Sequence, residues 1–576
     1  MKGPTDQSGA SRRLEWFCLA LILLGLAAAL VWEAWVTGVI IDGPAHLLSA
    51  NLYWRGADRL EPGDMPPLIK IVGGWVSRFF FDLPIPYDHQ VWKTQHEWWI
   101  AGEMMQRMSA EQIQRVFFFS RLPLLIFPLL TGLLVWRWGR QLFGPWVGVL
   151  LALAWALEPT ALGHGALFKN DLAATFTHLL FWYRAWRFWK DARGRNAAWL
   201  GAALLLALLA KMSLLYLLAA APLVVVLRFA TLPEARFRRA VLGLVLVLLI
   251  PYLGVIAAYQ LDTRRLPGIE LAAHRADPAL PRWFVWPAHI FGLLPVPPAM
   301  WKGAVSLFQS NASGNVIYLL GKLYPDGHPL YFVVALALKV PIPIQALVLC
   351  GAAMAAWRWR RRQLQAADVF WLLPPVLYIG LASLSTLQLG VRLVLPALPF
   401  GLLWCGLPVA AWLRDRRIAI VAGLFTWLAI KSLDVYPRGI SFFNLWIGGP
   451  EHGIQYLADS NVDWGQDLTA LAEYVKRQGI PRIHISYFGT NMLAGYFEEG
   501  QIEILVPPWG PEFAKGAVYK PEPGFYAISA NLIPGHAFNP EYRDYYKVFR
   551  DMAPIAKVGY SIHIYYVPES PADRPR

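Results

Sequence analysis

Two short stretches set carboxylates where an apolar run meets water. In "VTGVIIDGPAHLLSA", residues 36–50, Asp42 follows directly on an apolar run that begins near Leu14, and His46 lies four residues further on. In "LGHGALFKNDLAATF", residues 162–176, Asp171 opens another apolar run, with Glu158, His164 and Lys169 close by. Cations recur at comparable places: Lys211 within an apolar stretch, Lys322 at the end of a loop, Lys339 in "ALALKVPIP" and Arg392 in "LQLGVRLVLPALPF". Taken singly, an aspartate at a helix end touches headgroups and a basic side chain near a span end snorkels. Taken together, carboxylates and cations at one level suit a site that takes a proton from an acceptor and holds an anionic group.

The elements that position them must be membrane spans. The 576 residues are 56% hydrophobic and 16% charged, with a mean hydropathy of +0.40, more apolar surface than a soluble core absorbs. The 28 tryptophans and 23 tyrosines suit many spans crossing two interfaces. The first apolar segment is too long for a signal-peptide core and has no small-residue cleavage site, so it reads as a retained span. Cys18, Cys350 and Cys405 lie far apart inside apolar runs, which argues against a disulfide framework or a cysteine metal site.

The net charge of +14 does not imply a nucleic-acid partner, because the basic residues collect in short clusters between apolar runs. The clusters are Arg12 with Arg13, Arg137 with Arg140, Arg184 to Arg195, Arg228 to Arg239, "RWRRR" at 358–362 and "RDRR" at 414–417, each read as a cytoplasmic turn. The stretch between Arg195 and Arg228 has arginines at both ends, so it must go out and return, with Lys211 at the outer tip. Eleven spans follow, near 14–41, 116–136, 146–163, 168–188, 197–210, 212–228, 240–260, 329–356, 368–386, 391–412 and 418–433. The amino terminus is then cytoplasmic, and two loops, 42–115 and 261–328, face outward.

From about residue 434 the texture changes to an extracytoplasmic, or periplasmic, α+β domain over 434–576. "DLTALAEYVKRQGIP" reads as a helix closed by Gly479, flanked by the strand-like "RIHISYFG", "GFYAISA" and "SIHIYYV". In the first outer loop "PPLIKIVGGWVSRFFF" and "QHEWWIAGEMMQRM" read as interfacial helices. The expected fold is a polytopic α-helical membrane protein of about eleven spans, residues 1–433, followed by that soluble domain.

Six stretches carry a resemblance to a known family: "DGPAHLLSANLYWRGADRLEPGDMPPLIK", "GHGALFKNDLAATFTHLLFWYRAWRF", "LLALLAKMSLL", "YLLGKLYPDGHPLYFVVALALKVPIP", "LQLGVRLVLPALPF" and "FFNLWIGGPEHGIQYLADSNVDWGQDL". Over nearly its whole length the chain resembles GT-C glycosyltransferases of the phospholipid-carrier-dependent kind. These are the relatives of protein O-mannosyltransferases and lipid A aminoarabinose transferases grouped with glycosyltransferase family 39. The resemblance implies a hexosyl or pentosyl transferase of the plasma or bacterial inner membrane, with a polyprenyl-phosphate-linked sugar as donor and a protein, lipid or glycan as acceptor. By that resemblance Asp42 is the catalytic base and Asp171 the second acidic residue. Lys169, Lys211, Lys322, Lys339 and Arg392 face the carrier phosphate, with His46, Glu158 and His164 in support. The pattern departs at Gly43, where relatives carry a second acidic residue after the aspartate, and at Met65, where they often carry a histidine.

The chemistry suits the residues apart from the name. A phosphodiester leaving group needs no strong general acid, so one carboxylate and several cations suffice, attack opposite the leaving group inverts the anomeric centre, and no cofactor is required. No glycine-rich nucleotide cradle stands at a strand–helix junction, and a divalent metal is possible but not indicated. In "DSNVDWGQD" Asp463 and Asp467 suit caps and turns better than a metal, His46 and His89 lack a zinc partner at suitable spacing, and "NAS" at 311–313 is an acceptor sequon only in a host that glycosylates asparagine. Two other classes stay open. A transporter would show broken spans and two-halves symmetry, and a non-catalytic carrier-lipid-binding or assembly protein on this scaffold is one outcome of losing the acidic partner at Gly43.

Overall fold

The computed structural model describes residues 9–56, 60, 65–231, 237–262, 276–282, 296–489, 493–508 and 513–569; much of the loop read over 261–328 lies outside them. The helices are α1 (Gly9–Val36), α2 (Gly43–Tyr53), α3 (Leu68–Phe79), α4 (Glu97–Gln106), α5 (Ala110–Arg121), α6 (Ile126–Phe143), α7 (Pro145–Ala156), α8 (Pro159–Gly165), α9 (Asp171–Lys190), α10 (Gly194–Ala210), α11 (Leu217–Ala230) and α12 (Phe237–Ala258). They continue with α13 (Pro298–Ser313), α14 (Tyr331–Lys339), α15 (Ile342–Arg360), α16 (Val369–Ser383), α17 (Leu398–Arg414), α18 (Ile418–Val435), α19 (Leu468–Gln478) and α20 (Lys547–Asp551).

The chain is an integral membrane protein. Among the described residues eight helical segments are long and apolar enough to cross a membrane, or nine if α7 and α8 form one broken span. Each of the eleven expected spans meets a helix, yet that count is not matched, for physical reasons that differ from place to place. The run expected at 146–163 is two helices bent by 62°, because Pro159 brings no N–H and holds Glu158 in an extended conformation (φ −82°, ψ 112°). The run at 329–356 likewise divides at Pro341 into α14 and α15. Helix α9 carries Asp171, Arg184, Arg187 and Lys190 in 20 residues, and α10, with 17 residues, reaches only ~26 Å at 1.5 Å per residue against a hydrocarbon core of ~30 Å.

The two interfacial stretches are helical as read, forming α3 and α4, and each leaves a tryptophan exposed, Trp75 and Trp99. The carboxyl-terminal region contains a five-stranded sheet in the order β4-β3-β5-β7-β6, from β3 (Ile483–Ser486), β4 (Ile502–Ile504), β5 (Gly524–Ser529), β6 (Ala556–Val558) and β7 (Ile562–Val567); β1 (Ile317–Leu319) and β2 (Lys322–Tyr324) form a separate hairpin. The three strands legible in the sequence are the central ones. β3 and β5 run parallel, with Ile483 opposite Phe525, and β5 and β7 antiparallel. Helix α19 ends at Gly479 in the left-handed conformation (φ 62°) and packs Leu468, Leu471 and Val475 with Ile483 and Ile485 of β3.

Candidate active site

Asp42 stands on a short connection that three parts of the chain hold in place. After α1 ends, Arg121 of α5 donates to the carbonyls of Ala34 (3.0 Å), Thr37 (2.7 Å) and Gly38 (2.6 Å), satisfying carbonyls a helix end leaves open. The carboxyl-terminal region then meets this connection through its backbone: Gly38 N donates to Gln466 O at 2.7 Å and Ile41 N to Trp464 O at 2.9 Å. Position 38 must be glycine for that approach, since a Cβ there would lie 2.7 Å from the Gln466 carbonyl oxygen. Asp42 precedes α2 as its cap residue but makes no side-chain cap bond, which removes the ordinary helix-end role.

Its carboxylate faces cations instead. Lys169 Nζ donates to Asp42 Oδ2 at 2.5 Å and lies 3.2 Å from His46 Nε2; Arg392 Nη1 is 3.9 Å from the same carboxylate oxygen. Burial works to raise the Asp42 carboxyl, but the Lys169 ammonium and then Arg392 outweigh it and hold the group at about 2. Burial, reinforced by Lys169, holds His46 at about 3 and so neutral. Beside this cluster Lys211, at the break after α10, donates to Asp171 Oδ1. The other Asp171 oxygen and both ring nitrogens of the buried His164 have no hydrogen-bond partner among the described residues. Buried polar atoms left unmatched cost free energy.

Of the expected site residues, one stands apart from the cluster and two are engaged elsewhere in the fold. Lys322 is exposed on the β1–β2 hairpin and touches neither carboxylate. Lys339 is fully buried, donates to the carbonyls of Ile440 and Asn461 at 2.6 Å each and sits over the Phe443 ring at 4.4 Å, so it pins α14 to the chain after α18 rather than facing a phosphate. Glu158 caps α8 by accepting from Ala161 N at 2.5 Å. His89 likewise caps a short turn, accepting from Val91 N. Asn311 of the sequon accepts from Ser385 Oγ and Thr386 N, which engages its side chain within the fold. Cys18, Cys350 and Cys405 are all free thiols, Cys405 buried. Among the described residues no three His, Cys, Asp or Glu side chains are grouped to hold a metal ion.

The departure at Gly43 has a steric counterpart. A Cβ at this position would lie 3.0 Å from Phe117 Cε1 and 3.0 Å from Val39 Cγ1, so an aromatic ring of α5 occupies the side where a second acidic residue would emerge. Gly43→Glu is therefore expected to lower stability by ~1–3 kcal/mol, as overpacking does. Adding Phe117→Ala, which vacates that side, should make the further cost of Gly43→Glu measurably smaller in a double-mutant cycle read by thermal unfolding. Equal cost in both backgrounds would remove Phe117 as the cause.

The stretch 459–467 is structural in part, as its residue types indicate, yet it also forms a wall of the site. Asp463 Oδ1 accepts from Gly465 N at 2.9 Å, an Asx turn, and Asp467 Oδ2 accepts from Ser561 Oγ at 2.7 Å. Burial lifts Asp463 to about 7 and Asp467 to about 6. Both folded values lie above the unfolded value of ~3.9, so their stabilising contribution is complete below about pH 4 and is lost as pH rises through both folded values. The carboxyl-terminal region should melt at a lower temperature at pH 8 than at pH 5, with a shallower dependence in Asp467→Asn; an unchanged slope in that variant would contradict the assignment.

Residues 100–254 match the family model described as dolichyl-phosphate-mannose-protein mannosyltransferase. Over that segment the chain is similar to that family. The matched segment takes in Lys169, Asp171 and Lys211 and leaves Asp42 and Arg392 outside. Among solved structures the chain is similar to ArnT from Cupriavidus metallidurans bound to undecaprenyl phosphate, at 13% identity and a TM-score of 0.44 over 97% of this chain and 98% of that one. It is also similar to the Archaeoglobus fulgidus oligosaccharyltransferase in the apo form, at 13% identity and a TM-score of 0.47 over 91% and 70% of the two chains. No curated protein sequence matches significantly.

Proposed function

We propose that this protein moves a sugar from a polyprenyl-phosphate carrier to a hydroxyl group of an acceptor on the outer face of the membrane, with inversion at the anomeric carbon. The observation that carries the proposal is the Asp42 carboxylate held between Lys169 and Arg392, a carboxylate and two cations in one cluster. The acceptor oxygen attacks the anomeric carbon as the bond from that carbon to the phosphate oxygen breaks. The electron pair leaves with the phosphate, and the acceptor proton passes to Asp42. The leaving phosphate gains one negative charge in this step, so Lys169, Arg392 and Lys211 bind it more strongly late than early, which is the condition for lowering a barrier. No metal is needed in this scheme.

The ion pair of the free protein also fits the order of events. With Lys169 bound to it, Asp42 is a weak base; a carrier phosphate that draws Lys169 and Arg392 toward itself raises the basicity of the carboxylate. The unmatched atoms of His164 and Asp171 suit the sugar hydroxyls. An outward-facing carboxyl-terminal region is part of this reading: the arginine clusters between apolar runs support a cytoplasmic amino terminus, and the contact of Trp464 and Gln466 with the Asp42 connection supports both lying on one face.

The test is sugar transfer by purified protein from a panel of short-chain polyprenyl-phosphate sugars, with water and envelope extracts as acceptors. Transfer or donor hydrolysis with an inverted product is expected. No turnover with any donor, combined with tight binding of the carrier lipid, would replace this reading with that of a carrier-binding protein.

A further inference from the structure

The indole of Trp464 occupies the middle of the cation cluster although it belongs to the carboxyl-terminal region. The Arg392 guanidinium lies 4.1 Å from its ring centroid and Lys169 Nζ 5.6 Å, and His164 meets it edge-on at 5.8 Å. The ring is buried, and its position is fixed from both sides of the chain. Trp464 N donates to the Gln466 side chain at 2.6 Å, and Trp464 O accepts from Ile41 N. Four residues earlier, Ser460 Oγ accepts from Arg392 Nε at 3.0 Å and donates to Leu389 O. Asn461 Oδ1 accepts from Val391 N at 2.9 Å, so the same loop sets the turn from which Arg392 extends.

We infer that Trp464 is a positioning residue for the carrier phosphate: its ring face orients Arg392 and Lys169, so that the carboxyl-terminal region is a working part of the reaction centre. The inference rests on the proposed function for its chemistry and on the cation–ring geometry for the assignment. An indole is the strongest aromatic partner for a cation and gains strength where water is excluded. Arginine and lysine carry long, rotatable stems, and their heads reach a phosphate productively only when another group limits their directions. Asp42 alone cannot do so, since a base that releases both cations to the phosphate no longer restrains them. The ring is uncharged and does not compete with the phosphate for them, so it holds them throughout.

The experiment compares wild type, Trp464→Leu and Trp464→Phe in two measurements on the full-length purified protein: binding of a short-chain polyprenyl monophosphate, and the KM and kcat of sugar transfer. Trp464→Leu is expected to weaken monophosphate binding and raise the donor KM by roughly 10-fold, leaving the acceptor KM unchanged, and Trp464→Phe is expected to recover most of the loss. Leucine and phenylalanine both fill the core, so a purely structural role would lower the melting temperature and the active fraction without moving the donor KM. Monophosphate affinity and donor KM in Trp464→Leu equal to wild type would overturn the inference. Failure of wild type to transfer sugar from any donor would overturn the proposed function, while monophosphate binding would still decide the role of Trp464.

Discussion

Asp42→Asn is expected to lower the turnover of sugar transfer by ~100- to 10,000-fold, the usual worth of a general base, without raising the KM for the donor. The two halves of this expectation have separate causes. Asparagine matches aspartate in shape and can still accept from Lys169 Nζ, and Asp42 caps no helix through its side chain, so the connection between α1 and α2 is retained. Removing the negative charge leaves Lys169 and Arg392 without their counter-charge, which favours an incoming phosphate. A pH profile adds a second check. With Asp42 held at about 2 in the free protein, kcat/KM should show no acid limb from this residue near the usual carboxylate value of ~3.9. In Lys169→Gln the largest lowering influence is gone, burial counts for more, and an acid limb should appear at higher pH. Turnover in Asp42→Asn within tenfold of wild type would sink the assignment of the base.

The sequence made the membrane class, the apolar runs and the two acidic positions legible because each depends on local composition. Asp42 and Asp171 follow or open apolar runs, and Lys169 and Lys211 lie a few residues from span ends, so hydropathy alone puts them at one level. Partnership between them was not legible. Lys169 pairs with a carboxylate 127 positions away, and Lys339, which interrupts an apolar run in the same manner as Lys211, turns instead to two backbone carbonyls. Glu158 is the converse case: its partner Ala161 is three residues away, and the Pro159 that follows it is a local sign of a helix start. Arg121 was missed because an arginine at the end of an amphipathic stretch gives no sign that it will close the end of another helix. Trp464 was missed for a different reason. Asp463, Gly465 and Asp467 account for the turn around it, and an aromatic residue in such a turn is usually core; only the arrival of Arg392 and Lys169 from two other parts of the chain gives the ring a further role.

The largest expected effect on stability lies in the neighbouring pair. Lys211→Met should destabilise the protein by ~3–5 kcal/mol, because it leaves the carboxylate of Asp171 charged, buried and without its partner; the Asp171 side chain is only 1% exposed and that of Lys211 14%. Adding Asp171→Asn removes the stranded charge, and the double variant should recover most of the loss, since two uncharged groups can replace a buried ion pair at little cost. Unfolding of the four proteins of this cycle in detergent gives the coupling directly. Near-additive losses would mean that water reaches the site and that Asp171 does not depend on Lys211. The recovered double variant then separates folding from function. If Lys211 serves only to neutralise Asp171, the double variant binds a polyprenyl monophosphate as well as wild type does. If Lys211 also turns to the phosphate, as the proposed reaction requires, the double variant is folded yet binds the monophosphate more weakly. On that outcome Asp171 would hold Lys211 in the same way as Asp42 holds Lys169.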